Sequence, residues 1–253
     1  MATAAGHAVE LPHAVLVVLL ARADWVPAEL RGDSESGRED YCVCLFESPE
    51  GDGSTFPGGR VHSMDHALAS GSFGAEGSTE DPLSLALRVA AAREVFTEAG
   101  IVLAAPAPPP VLREATRQIL QREGPRVFLD CLIAWDGGNP NPVLTLCPLE
   151  ELSVSGMPLE GASSPAPHVF ITEVPDAEEL NWAKTSTGAG GKIQWLKPSE
   201  ILRGGRIQLP PLEHLIIFRL CERLSRLVDL PMLIADWQDT GGELSSKAMS
   251  SRL

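Results

Sequence analysis

The chain is short of positive charge, with 20 lysines and arginines against 34 aspartates and glutamates, a formal net charge of −14. With no basic stripe to replace counterions on phosphates, nucleic-acid binding is excluded as its main business. Any anionic substrate needs local help, from a metal or from backbone amides. There is no C-x-x-C pair, and the five cysteines (Cys42, Cys44, Cys131, Cys147, Cys221) are odd in number. That points away from a disulfide framework and toward a reduced intracellular setting. No apolar run is long enough to span a bilayer, since the longest is Ala14 to Ala21, and the N-terminus lacks the basic, apolar, small-residue order of a signal peptide. A soluble protein with no membrane partner is expected. Nor is there an internal repeat.

What is present supports a sizeable core: 253 residues, 44% of them hydrophobic, enough for one large domain or two small ones. His13 to Ala21 is β-branched and continuously apolar, the pattern of a strand buried on both faces. Tyr41 to Glu47 reads as a second strand, with Cys42 and Cys44 on one face. Arg126 to Trp135 reads as a third, His168 to Val174 as a fourth and Gly190 to Leu196 as a fifth. The turn Asn139 to Pro142 follows the third. Helices are expected at Val111 to Glu123, from Pro198 to Leu202, and from Leu212 to Leu230 with Val228 among the inward residues. The last is amphipathic and suits burial in the core or a homodimer contact. Residues 62–81, rich in glycine and serine, read as an inserted loop or lid. His62 and His66 within it suit a surface loop better than a zinc site. The segment Gly188 to Lys192 resembles a phosphate loop but lacks the hydroxyl residue after the lysine, where Ile193 stands.

The chemistry concentrates between Asp81 and Ile101. Asp81 suits an N-cap, Pro82 the first helical position and Gly100 a left-handed terminator, so about five turns of helix are predicted. Leu85, Val89, Ala92, Phe96 and Ala99 share a stripe expected to pack on a sheet. Glu94 and Glu98 lie opposite, a like-charged i, i+4 pair near the negative end of the helix dipole. A bound cation would cancel both penalties. Upstream, Phe56-Pro57-Gly58-Gly59-Arg60 reads as a glycine turn whose backbone a ligand can approach closely.

Gly59 together with Arg93-Glu94-Val95-Phe96-Thr97-Glu98-Ala99-Gly100-Ile101 resembles a Nudix box, G-x5-E-x7-R-E-U-x-E-E-x-G-U with U aliphatic. Thr97 stands where the first of the paired glutamates belongs, and Leu85 where the earlier glutamate belongs. Arg93 follows Gly59 by 34 positions where the pattern has 14. An interrupted box of this kind is similar to that of the peroxisomal acyl-coenzyme A diphosphatases, as are Gln194 to Glu200 and Ile207 to Pro211 before an apolar helix. The resemblance implies an α/β fold, a Nudix-type α/β/α sandwich with a mixed sheet, in one domain over residues 1–239 with the insertion at 62–81 and a C-terminal helix. It implies hydrolysis of coenzyme A or acyl-coenzyme A to 3',5'-ADP and (acyl-)phosphopantetheine. Mg2+ or Mn2+ would be held by Glu94, Glu98 and the Gly59 carbonyl, with Arg93 orienting a box carboxylate.

Two alternatives stay open: a diphosphatase for ADP-ribose or nicotinamide dinucleotides, and a Nudix-fold binding protein with weakened catalysis. Thr97 costs the site one negative charge, leaving activity lowered, absent, or dependent on an outside carboxylate such as Glu173, Glu178 or Glu179. Residues 240–253 read as a polar tail ending in Ser251-Arg252-Leu253, a relative of the S-K-L address. That tripeptide implies a peroxisomal import receptor as partner and residence in a peroxisome or related organelle such as a glycosome, with the cytoplasm as the alternative.

Overall fold

Strand β1, Glu10–Arg22, is the axis of the protein, and it is apolar on both sides because both sides are covered. Val15, Val17, Leu19 and Ala21 point into one core cluster and Val18 and Leu20 into another, each at most 1% exposed. Each of these valines and leucines taken fully out of water contributes roughly 1.5–3 kcal/mol. The computed structural model describes residues 10–31, 38–47, 53–71, 81–105, 107–138, 145–152, 166–183, 192–204 and 207–239.

After β1 the chain forms β2 (Tyr41–Glu47), β3 (Ser54–Thr55), β4 (Gly58–His62), α1 (Ser63–Gly71), α2 (Pro82–Ala99) and β5 (Ala104–Ala105). It continues through α3 (Pro110–Glu123), α4 (Phe128–Trp135), β6 (Thr145–Leu146), β7 (Glu150–Leu152), β8 (His168–Glu173) and α5 (Ala177–Ala183). It closes with β9 (Lys192–Leu196), α6 (Pro198–Gly204), α7 (Pro211–Arg223) and α8 (Leu230–Asp239).

The main sheet is mixed. β8 runs parallel to β1, from Val15 opposite His168 to Leu20 opposite Glu173, and β7 lies antiparallel on its far side. The other side of β1 is divided: its last residues pair with β2, Leu20 opposite Val43, and its first half pairs with β4, Leu16 opposite Gly58 and Val15 opposite Gly59. β3 and β9 pair with β2, and β5 with β6 makes a separate small ribbon. Helix α2 covers one face of the sheet and is itself overlaid by α1, α3 and α4, while α7 and α8 cover the opposite face. The result is an α/β/α sandwich.

Several expectations change. Arg126 to Trp135 is no strand: a 3-10 turn at Pro125–Val127 leads into α4, whose Phe128, Cys131, Leu132 and Trp135 recur at helical spacing in the cluster around Phe96. The C-terminal helix is broken. α7 ends at Arg223, where the buried Tyr41 hydroxyl donates to the Leu224 carbonyl at 3.1 Å, and α8 starts at Leu230, leaving Val228 73% exposed. Part of the inserted segment is ordered as α1, and of the expected glycine turn Gly58 to Arg60 belong to strand β4 while Phe56 and Pro57 lead into it. On α2, the stripe Leu85, Val89 and Phe96 faces the outer helices, with Phe96 edge-on to Trp135 at 5.0 Å between ring centroids. Leu87, Ala91 and Val95, with Ala92 and Ala99, face the sheet instead. A helix between two layers needs two apolar faces, and the alanines supply the second at low bulk. The expected turn at 139–142, most of the glycine segment at 188–191, residues 72–80 and the tail 240–253 lie outside the described residues.

Candidate active site

The ends of α2 form as its capping residues dictate. Asp81 accepts the Ser84 amide at 2.9 Å, Pro82 occupies the first turn, and Gly100 closes the helix at φ 71°, a left-handed conformation that costs glycine nothing. These caps fix how far the last two turns, which carry Arg93, Glu94 and Glu98, reach along the edge strand β4.

Contact with β4 is made at its two glycines. The Gly58 N–H donates to Glu98 Oε2 at 3.0 Å. At Gly59 a β-carbon would collide with the Glu94 carboxylate, and at Gly58 one would collide with the Val15 carbonyl. The first glycine is thus demanded by the sheet and the second by the glutamate.

Arg93 is 3% exposed and uses its whole fork. Nε and Nη2 each donate to Asp65 at 2.9 Å, Nη1 donates to Glu94 Oε1 at 2.8 Å, and Nη2 also reaches the Arg60 carbonyl at 3.0 Å. Asp65, fully buried in the first turn of α1, accepts the His62 amide at 2.8 Å as well. Burial opposes the Arg93 charge, but the hydrogen bonds and charges of Asp65 and Glu94 outweigh it and raise its pKa. One guanidinium therefore ties α1, α2 and β4 into a single unit.

The same burial works on the glutamates. Desolvation raises the Glu94 pKa, with the Arg93 charge opposing it. Desolvation pushes Glu98 up to about 8, opposed by the Gly58 amide and reinforced by the Glu94 charge. Among the described residues each keeps one oxygen with no hydrogen-bond donor, Oε2 of Glu94 and Oε1 of Glu98. Two half-buried carboxylates one turn apart, each with an uncommitted oxygen, fit a hard divalent cation that prefers oxygen ligands. Gly59 lies against the Glu94 carboxylate. No group of three His, Cys, Asp or Glu side chains is assembled among the described residues, so such an ion would keep positions for water or substrate.

Thr97 adds no charge here. Its hydroxyl donates back to the Arg93 carbonyl at 2.8 Å, and its own carbonyl receives Arg117 Nε and Gln121 Nε2 at 3.0 Å each, which pins α3 to the end of α2.

No family model matches the sequence, and no curated protein matches it. Among solved structures, the crystal structure of a NUDIX hydrolase from Alicyclobacillus acidocaldarius is similar, with a TM-score of 0.55 over 83% of this chain and 90% of that one, at 16% identity. The fold is that of a Nudix hydrolase. In the Nudix-fold frame, the residues of the sequence motif, Gly59, Arg93, Glu94 and Glu98, converge on one edge of the sheet.

Other carboxylates fall differently. Glu179 is spent on Arg113, at 2.8 and 2.7 Å, and on the Val102 amide, while Glu173 and Glu178 are exposed. Asp65 was not foreseen. Its signal was Met64, Ala67 and Leu68 around an acidic residue, one helical turn hidden in a glycine-rich stretch. Glu213, in the first turn of α7, is 3% exposed.

Proposed function

We propose that this protein is a Nudix-type hydrolase that cleaves the diphosphate of a nucleoside diphosphate linked to a second group, with coenzyme A or its acyl esters as substrate. The observation that carries the reading is the closure of Glu94 and Glu98 over Gly59 and Gly58, with Arg93 holding Glu94 from behind. Mg2+ or Mn2+, held by Glu94, Glu98 and the Gly59 carbonyl, would neutralise the anionic diphosphate and acidify the attacking water. Arg93 fixes the orientation of Glu94, and the Gly58 amide that of Glu98. The water oxygen bonds to one phosphorus as the bond from that phosphorus to the bridging oxygen breaks, giving 3',5'-ADP and (acyl-)phosphopantetheine. The interrupted box and the segments Gln194 to Glu200 and Ile207 to Pro211 support the choice of coenzyme A. Incubation of the purified protein with acyl-coenzyme A and Mg2+ or Mn2+ should release 3',5'-ADP. Release of AMP from ADP-ribose or a nicotinamide dinucleotide, without cleavage of coenzyme A, would replace the substrate.

A second reading, a coenzyme A binding protein without turnover, is favoured by the back-bonded Thr97 hydroxyl. Saturable binding of coenzyme A with no product from any diphosphate would establish it and sink the hydrolase. The C-terminal Ser251-Arg252-Leu253 supports import into a peroxisome or related organelle through the receptor that reads such tripeptides. Unchanged import after deletion of the three residues would refute this.

A further inference from the structure

Glu213 stands in the first turn of α7, on the sheet face opposite α2, and both of its oxygens are used. Oε1 accepts the Thr55 hydroxyl and Oε2 the Phe56 amide, each at 2.7 Å. The ring of Phe56 is 1% exposed in the cluster that α7 covers. Upstream, the Ser54 amide donates to the Gln208 carbonyl at 2.8 Å, and downstream the Val17 amide donates to the Pro57 carbonyl at 2.7 Å. The next amide along is that of Gly58, which meets Glu98. Each residue from Ser54 to Gly58 is thus held by a hydrogen bond of its own, and this short segment connects α7 to the glutamate pair on α2.

Burying a carboxylate for this purpose is costly. Desolvation pushes Glu213 up to about 7 against the pull of its two donors, whereas a small apolar residue would fill the layer without that penalty. What the carboxylate provides is two acceptors that fix Thr55 and Phe56 in one orientation. Resting on the reading of Glu94 and Glu98 as the reactive pair, we infer that Glu213 is a positioning residue: it seats Thr55 and Phe56 so that the Gly58 N–H faces Glu98.

Amide hydrogen exchange at Gly58 reads that contact directly, whether or not the protein turns over substrate. The Val174 amide, bonded to the Leu20 carbonyl at 2.8 Å on another part of the sheet, reports any general loss of stability. In Glu213→Ala the Gly58 amide should exchange about tenfold faster relative to Val174, and the Mn2+ affinity should fall by a similar factor. Glu213→Gln should restore both to within about twofold, since an amide can accept from the Phe56 N–H and donate to the Thr55 oxygen. Gly58 exchange that merely tracks Val174 in the alanine variant overturns the proposal, as does an unchanged Mn2+ affinity once Gly58 protection is lost. A wild-type chain that binds no Mn2+ refutes the hydrolase reading itself, and shows this before any variant is made.

Discussion

Arg93 and Asp65 meet through two bonds of 2.9 Å with side chains 3% and 0% exposed. Removing one partner leaves an uncompensated charge inside the protein. Asp65→Ala should therefore cost about 3–5 kcal/mol in unfolding free energy, while Asp65→Asn, which keeps an acceptor for the guanidinium and the His62 amide, should cost clearly less. Urea denaturation of the two variants beside the wild type measures this. A loss under 1 kcal/mol in Asp65→Ala would mean that Arg93 is not anchored by α1. Turnover should fall in both variants, because Arg93 orients Glu94 only while its other donors are held.

The glycines supply a second prediction, in which two adjacent substitutions fail for different reasons. Gly59→Ala places a methyl where the Glu94 carboxylate lies, so the protein should fold but bind Mn2+ at least about tenfold more weakly. Gly58→Ala meets the Val15 carbonyl in the main sheet, so its primary effect should be on stability, of order 1–3 kcal/mol. Thermal melts and Mn2+ titrations of both variants separate the two effects. Equal loss of metal and of stability in both would show that Glu94 does not sit on Gly59.

Much of this arrangement was legible in the sequence. Asp81, Pro82 and Gly100 announced both ends of α2, and the two-faced apolar run of β1 announced a strand with a layer on each side, because caps and periodicity are local signals. The remainder depended on contacts between distant segments. Phe128, Cys131, Leu132 and Trp135 had helical spacing, but the neighbouring Leu129, Ile133 and Ala134 made the stretch read as largely apolar and strand-like. Asp65 and Glu213 find their partners far along the chain, Arg93 on α2 for the first and Thr55 with the Phe56 amide for the second, and only the fold brings these together. Of the α2 stripe, Ala92 and Ala99 meet the sheet as expected while Leu85, Val89 and Phe96 meet the outer helices, because a helix apolar on two sides does not reveal which side meets the sheet.

A pH prediction follows from Glu98. Burial pushes its pKa in the folded protein up to about 8, against 4.5 for an exposed glutamate, so without metal the folded state holds this proton where the unfolded chain has lost it. Its stabilising contribution is complete below about 4.5, declines as pH rises, and is gone above about 8. Glu98→Gln cannot titrate there, so in EDTA it should gain on the wild type across that window, by on the order of 2 kcal/mol at pH 8.5 after discounting for partial exposure. Glu94 and Glu213 titrate in both proteins and largely cancel. Melting curves at pH 5 and pH 8.5 that shift in parallel would contradict the burial of Glu98. With Mn2+ present the wild type should recover, and its metal affinity should rise with pH as the proton is displaced.

Thr97 gives the sharpest test of what limits the site. Its side chain is half-buried, its hydroxyl serves only the Arg93 carbonyl at 2.8 Å, and loss of that bond should be nearly neutral for the helix. A glutamate at this position would bring a third carboxylate onto the last turns of α2, one residue before Glu98 and three after Glu94. It would add repulsion without metal and charge neutralisation with it. Thr97→Glu should therefore lower the melting temperature by a few degrees in EDTA and bind Mn2+ about tenfold more tightly or better. If cation binding limits turnover, the rate on acyl-coenzyme A should rise at subsaturating metal. Tighter Mn2+ binding without any gain in rate would place the limitation elsewhere, in the base or in the seating of substrate. No change in Mn2+ affinity would show that the cation does not sit on this face of α2.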